Sequence, residues 1–226
     1  MRSCVEQQRY TCAMGAIQSV VAIKRAVPIL HSGPGCGNMV SGFFERSRGY
    51  SGGSTAPCTN ASETEVVFGG EKKLGDLIGN TFRILKGDLF VVFPGCTAAI
   101  VGDDIGQVIR PFVEEGRPLV FADAPGFKYS NYEAHSVAVN AIIDQYVDRH
   151  ARKDAAKDKG LVNVFASVPY QDPFWKGNLS ELKRLIEGIG LKANILFGPE
   201  SGGVEEWKTI PNAAFNVLVS AWAGSP

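Results

Sequence analysis

The sequence predicts an α/β fold built from doubly wound parallel-sheet domains, with helices on both faces of each sheet. Three observations lead there. Short apolar runs at 26–30, 89–93 and 118–122 have the length of buried strands. Segments of helical spacing separate them, the alternation expected of a parallel sheet with crossover helices. Two of these runs end directly in glycine turns, His31-Ser32-Gly33-Pro34-Gly35-Cys36 and Pro94-Gly95-Cys96. In an open parallel sheet the carboxyl ends of the strands form the ligand-binding edge.

Taken in order, Ala13, Ala16, Ile17, Val20 and Val21 recur at helical spacing and predict a helix over 13–25. The strand 26–30 follows, and 37–47 opens a second helix. Residues 49–60 are rich in Gly, Ser, Thr and Pro and predict a loop. Leu74, Leu77, Ile78 and Leu85 mark the inward face of a helix over 71–85. Strand 89–93 leads through Cys96 to a helix over 98–113. Strand 118–122 and a helix over 132–149 complete an N-terminal domain, residues 1–148.

Residues 149–160, RHARKDAAKDKG, carry many charges and no large apolar side chain; they are expected to be a linker. A second α/β domain is expected over 161–226: strand 161–166, helix 178–189, strand 193–197, a Gly-rich loop at 198–203, helix 204–212 and strand 215–219. Such a sheet would be thin. A parallel sheet is normally covered on both faces, so this second domain is expected to be incomplete or covered by a partner.

Composition narrows the function. The 226 residues are 45% hydrophobic, enough for a substantial core, and basic and acidic residues balance at zero formal charge. That balance argues against nucleic acid or an anionic membrane surface as partner. No apolar run reaches the roughly 18 residues of a membrane span. The segment MRSCVEQQRY lacks the apolar centre of a signal peptide. A cytoplasmic location is therefore expected, where thiols stay reduced. Five cysteines in such a chain point to ligands, catalytic groups or core residues rather than disulfides.

Cys12, Cys36 and Cys96 form no C-x-x-C pair, so zinc-ribbon spacing is absent. Cys36 and Cys96 sit in glycine turns at strand ends. There, Gly35 and Gly95 allow close approach of the backbone to a bulky ligand and aim N–H groups at it. Thiolates are the ligands of iron–sulfur clusters, and N–H···S bonds tune them. Three thiols are one short of the usual four. A fourth ligand from Cys58, Cys4 or an oxygen donor, or a ligand from a second chain, would complete the set.

Other motifs are weaker. His31 reads as a structural hydrogen-bonding residue. Gly33-Pro34-Gly35-Cys36-Gly37-Asn38 fails the dinucleotide fingerprint at Asn38, and Gly69-Gly70-Glu71-Lys72-Lys73 is no P-loop. The Asp103-Asp104 pair reads as a cap or a solvated face before a metal site.

The segments C12-A-x-G, H31-S-G-P-G-C36, V67-F-G-G-E-K-K-L74, C96-T-A-A-I-V-G-D-D104 and A122-D-A-P-G-F127, in this order, resemble the nitrogenase component 1 family. That family includes nitrogenase subunits, cofactor-assembly scaffolds and dark-operative protochlorophyllide reductase. The resemblance covers nearly the whole chain. It implies Rossmann-like domains and an iron–sulfur cluster, a 4Fe–4S or P-cluster, at a subunit interface. It implies Cys12, Cys36 and Cys96 as cluster ligands, with Cys58 as a candidate extra ligand. The implied partners are a second copy or paralogous subunit and an ATP-dependent iron protein.

The implied activity is that of an oxidoreductase subunit relaying electrons, with a non-catalytic cluster-assembly scaffold as the alternative. Family subunits carry three doubly wound domains, so the resemblance also implies that this sequence stops inside the second. Ser220 falls where the catalytic subunit has a cysteine for the iron–molybdenum cofactor. No such cofactor is therefore expected in this chain, and the chain alone is expected to be inactive in substrate reduction.

Overall fold

The computed structural model describes residues 12–46, 56–151 and 156–219. In the first half, β1 (Ala26–His31), β2 (Leu89–Pro94) and β3 (Leu119–Phe121) form a parallel sheet in the order β1-β2-β3. All six residues of the central strand β2 are buried. Side chains alternate across a strand, and the two faces feed two cores. Leu89, Val91 and Phe93 join Ile17 and Val20 of α1 (Ala16–Val21). Phe90 and Val92 pack in a cluster with side chains from helices at 71–84 and 105–114. Burying each such side chain contributes about 2 kcal/mol.

The helices follow in chain order: α2 (Pro34–Arg46), α3 (Glu63–Phe68), α4 (Glu71–Ile84), α5 (Cys96–Val101), α6 (Ile105–Glu114) and α7 (Asn131–Ile142). A π-helical turn, Ile143–Val147, extends α7 into the short α8 (Asp148–His150). Leu74 and Ile78 of α4 and Ile105 and Ile109 of α6 cover one face of the sheet. Ala134, Ala138 and Ile142 of α7 lie with α1 in the core on the other.

The second half places β4 (Asp158–Phe165), β5 (Lys192–Ile195) and β6 (Ala213–Leu218) in a parallel sheet of order β5-β4-β6. α9 (Trp175–Gly188) and α10 (Val204–Trp207) are its helices. Val164, Ile195, Phe197, Val204 and Trp207 join the same core as α1 and α7, so one apolar interior is continuous between the two sheets. Polar contacts accompany it: Gly198 N donates to Ala22 O (2.8 Å), and Trp207 Nε1 donates to Leu196 O (3.0 Å).

A ladder of asparagines crosses the second sheet. Asn163 lies in register with Asn194 on one side and Asn216 on the other. Its amide donates to Asn216 Oδ1 (2.7 Å), and Asn194 Nδ2 donates to Asn163 Oδ1 (2.8 Å). A one-residue slip would leave these groups unpaired, so the ladder adds a polar determinant of register to the apolar one.

Several elements depart from the sequence expectation. The helix expected over 13–25 opens as a single 3₁₀ turn, Ala13–Gly15, and ends at Val21. The expected helix 98–113 is two helices, because Gly102 turns into the left-handed region (φ 88°) and Asp104 caps α6 by accepting from Gln107 N. Helix α3 falls where no element is expected. Its signal is the capping box Ser62-x-x-Glu65, whose hydrogen bonds hold the Glu65 carboxyl down to about 2. The expected helix 204–212 is α10 followed by a 3₁₀ turn, Ile210–Asn212. Strand β4 begins at Asp158, within the expected linker. Gly95 does not stand against open space: a Cβ there would overlap Oγ and Cβ of Ser32.

His135 of α7 sits inside the shared core, its Nδ1 2.7 Å from Ser19 Oγ and its ring 5.5 Å from that of Phe197. Burial pushes its imidazole down to about 4, against about 6.5 in an unfolded chain. The unfolded chain therefore binds the extra proton between those values. His135's contribution is fully present above about pH 6.5 and is lost as pH falls toward 4. The expected loss at about pH 5 is about 2 kcal/mol, and buried His31, shifted the same way, adds to it. Urea unfolding at about pH 7.5 and about pH 5 measures this. A His135→Leu variant should start less stable yet show a flatter pH dependence. An undiminished pH slope in that variant contradicts the assignment.

Candidate functional site

β1 and β2 pair in parallel with Leu30 opposite Phe93 and His31 opposite Pro94, so their carboxyl ends emerge together. Each chain turns there into a helix. Cys36 lies in the first turn of α2, and Cys96 is the first residue of α5. Cys12 reaches the same edge from the other side of the sequence, through an antiparallel bridge to Ser130 beyond the turn that follows β3. Gly126 lies in that turn. A Cβ on Gly126 would stand 2.9 Å from Cys96 Sγ and 3.1 Å from Cys12 Sγ. The two sulfurs thus converge on one point, and glycine keeps that point open.

Cys58 arrives by a different route. Residues 57–61, of which 57–60 belong to the expected loop 49–60, lie along the outer edge of β1. Leu30 N donates to Pro57 O (2.8 Å), Thr59 N to Leu30 O (3.0 Å) and Ala61 N to Ser32 O (2.9 Å). The Cys58 sulfur comes to rest beside the residue after Cys36: a Cβ on Gly37 would lie 3.2 Å from Cys58 Sγ. The thiol faces Ser32 O at 3.4 Å, and Asn60 N donates to the sulfur at 3.4 Å. Burial pushes the Cys58 thiol up.

A buried polar clamp fixes this arrangement. His31 is fully buried; its Nε2 lies 2.9 Å from Asp103 Oδ2 and its Nδ1 3.1 Å from Thr59 Oγ1. Asp103 Oδ1 accepts from Gly70 N (2.9 Å), and Thr59 Oγ1 accepts from Ser32 N (2.9 Å). Burial pushes the His31 imidazole down, outweighing the Asp103 carboxylate that favours its charge. The neutral ring donates from Nε2–H to Asp103, and the Thr59 hydroxyl beside Nδ1 stands 3.0 Å from Ser32 O, to which it donates. One carboxylate thereby links β1, the segment 57–61 and the entry to α4. The neighbouring Asp104 caps α6, so the acidic pair divides its work between a clamp and a cap.

Cys12 is exposed, and Cys36, Cys58 and Cys96 are partly buried. Cys12 and Cys96 converge on Gly126, and Cys58 lies beside Gly37, the residue after Cys36. Among the described residues no three of His, Cys, Asp and Glu stand close enough to hold a metal ion. The thiols are soft donors suited to iron–sulfur chemistry, and at the same edge the buried Ser32 Oγ has no hydrogen-bond partner. Gly35 faces open space, with nothing within 4 Å of its Cβ position. Cys4 and Ser220 lie outside the described residues. The sequence did not single out Thr59 or Gly126; the A-P-G-F run around Gly126 was its only signal. Met39, Val67, Phe68 and Ile100 are exposed on α2, α3 and α5, and no described helix is long and apolar enough to cross a membrane.

The family model of the nitrogenase component 1 type oxidoreductases matches residues 11–226. The chain is 27% identical over 191 residues to a nitrogenase molybdenum-iron protein beta chain of Bradyrhizobium diazoefficiens, covering 81% of this chain and 36% of that one. It is 28% identical over 190 residues to a nitrogenase molybdenum-iron protein alpha chain of Methanosarcina barkeri, covering 80% and 34%. A solved structure described as nitrogenase Cp1 at pH 5 shares the fold with a TM-score of 0.75 at 24% identity, covering 99% of this chain and 45% of that one. The chain thus spans less than half the length of these relatives.

Removing the Asp103 carboxylate leaves His31 Nε2 and Gly70 N without their partner in a buried setting. Asp103→Ala is expected to lower unfolding free energy by about 3 kcal/mol. Asp103→Asn, which keeps an acceptor, should cost less. Urea unfolding curves of the two variants beside the parent measure the difference, and equal losses would contradict the clamp.

Proposed function

Because the chain belongs to the family of nitrogenase component 1 type oxidoreductases, we propose that it binds an iron–sulfur cluster through Cys12, Cys36 and Cys96 and relays electrons as an oxidoreductase subunit. The observation that supports this most is the convergence of the Cys12 and Cys96 sulfurs on Gly126, at the edge where Cys36 also emerges. When bound, such a cluster supplies one-electron redox chemistry. The chain's own residues supply the seat. Each thiol must lose its proton to become a ligand, and Cys36 lies in the first turn of α2.

A single chain offers these three thiols at a partly open edge. A second copy or a paralogous subunit would close it, and the exposed Met39, Val67, Phe68 and Ile100 are apolar surface suited to that contact. The electron donor in this reading is an ATP-dependent iron protein, the cluster is of the 4Fe–4S or P-cluster type, and the compartment is the cytoplasm.

A second reading, a non-catalytic scaffold or carrier for metallocluster assembly, is favoured by one sequence observation. Ser220 offers a neutral hydroxyl where the catalytic subunits have a thiolate, and a hydroxyl is a poor ligand for soft iron. Both readings need the same cysteines. They part on what happens after reduction: a relay passes the electron to a substrate site, whereas a scaffold releases its metal to an acceptor.

Protein purified without oxygen should be brown and contain iron and acid-labile sulfide. Cys36→Ala and Cys96→Ala should each lose most of that iron, measured by metal analysis on folded protein. If anaerobic, reconstituted protein holds no iron, the cluster reading is wrong. Electron paramagnetic resonance of the reduced sample, with an activity assay alongside, separates the relay from the scaffold.

A further inference from the structure

We propose that Cys36 and Cys58 form a two-thiolate donor pair for a soft metal centre, with Cys58 the fourth thiol of the site, seated by the Thr59–His31–Asp103 clamp. This rests on the cluster reading for what the pair finally holds, and on the seat of Cys58 beside the residue after Cys36 for the pairing.

Four features of the chain's architecture build the pair. First, the placement of Cys58 is specified by hydrogen bonds on both sides of it. Pro57 O accepts from Leu30 N and Thr59 N donates to Leu30 O, each within 3.0 Å, so Cys58 is held in a parallel bridge with Leu30. Second, the space that its sulfur occupies exists because residue 37 is glycine. A Cβ there would lie 3.2 Å from both Cβ and Sγ of Cys58, tight enough to displace the thiol from the residue next to Cys36.

Third, the sulfur is provided with donors. Asn60 N–H donates to it at 3.4 Å, and the Gly37 amide is a further backbone partner. An N–H aimed at sulfur does little for a neutral thiol but stabilises a thiolate or a thiolate ligand. Fourth, the clamp behind it is fully engaged. Thr59, adjacent in sequence, is 4% exposed and His31 is 0% exposed, and their polar atoms are matched through to Asp103. A buried polar relay of this kind locks the position of the side chain beside it.

A plain core cysteine needs none of these. It would be inert packing. When a soft divalent cation binds, each thiol gives its proton to solvent, a sulfur–metal bond forms in its place, and no oxidant or reductant is required. With Cys12 and Cys96 converging at Gly126, the edge carries four thiols in all, the number usual for one cubane.

Cadmium(II) added to the reduced, metal-free full chain tests this, with iodoacetamide labelling read at each cysteine by mass spectrometry. Cadmium should slow labelling of Cys36 and Cys58 together, by about tenfold or more. In Cys58→Ala, cadmium should no longer protect Cys36. Cys58→Ser, closest in size, should behave the same way, since its hydroxyl is a poor soft ligand. Thr59→Val should stay folded by circular dichroism yet require about tenfold more cadmium for protection.

Unchanged protection of Cys36 in both Cys58 variants overturns the pairing, even where iron still loads through Cys12, Cys36 and Cys96. Joint protection that is lost with Cys58, in protein that never takes up iron, upholds the pair while the cluster reading fails.

Discussion

Cys36 and Cys96 face each other's edge because β1 and β2 run parallel, with His31 opposite Pro94. Parallel pairing sends both strands out of the sheet at the same end, and each must then turn sharply to begin a crossover helix. The turns therefore lie side by side whatever else the chain does. An antiparallel register would place the two cysteines at opposite ends of the sheet. The remaining thiols depend on this edge too: Cys58 is hydrogen-bonded to its outer strand, and Cys12 bridges to the segment that leaves its third.

What holds the edge rigid is a core shared by both halves. α1 and α7 pack on one face of the first sheet and simultaneously against Phe197, Val204 and Trp207 of the second half. Cys12 immediately precedes the 3₁₀ turn leading into α1, and Ser130 is the N-cap of α7. The Cys12–Ser130 bridge is thus carried by two helices whose positions the second half helps to fix. Disturbing the packing around Phe197 should be felt at Cys12 through α1, because close-packed interiors transmit displacement instead of absorbing it.

The polar interior follows a different logic from the apolar one. Apolar burial here is non-directional and would tolerate substitutions of equal volume. The Asp103–His31–Thr59 relay and the Asn163 ladder are directional: each group has one geometry in which its partners are met, and missing it leaves a buried group unpaired. One relay sits behind the thiol edge and the other spans the second sheet. Each converts an approximate fold into a particular register.

The sequence alone determined what depends on near neighbours. Apolar runs fixed where β1, β2 and β3 lie, and the glycine turns marked Cys36 and Cys96 as strand-end residues, because burial periodicity and turn chemistry act over a few positions. The Ser62–Glu65 capping box is an equally local signal, yet α3 was not among the expected elements. The tertiary structure alone decided which thiols meet. Gly126 between Cys12 and Cys96, Gly37 beside Cys58, and Asp103 beneath His31 are contacts between segments distant in the chain. Their distances are set by strand register and helix packing, which no local pattern encodes. The same holds for the docking of residues 57–61 on β1: a Gly- and Ser-rich composition reads as loop, and only an unpaired strand edge nearby turns its last residues into a parallel bridge.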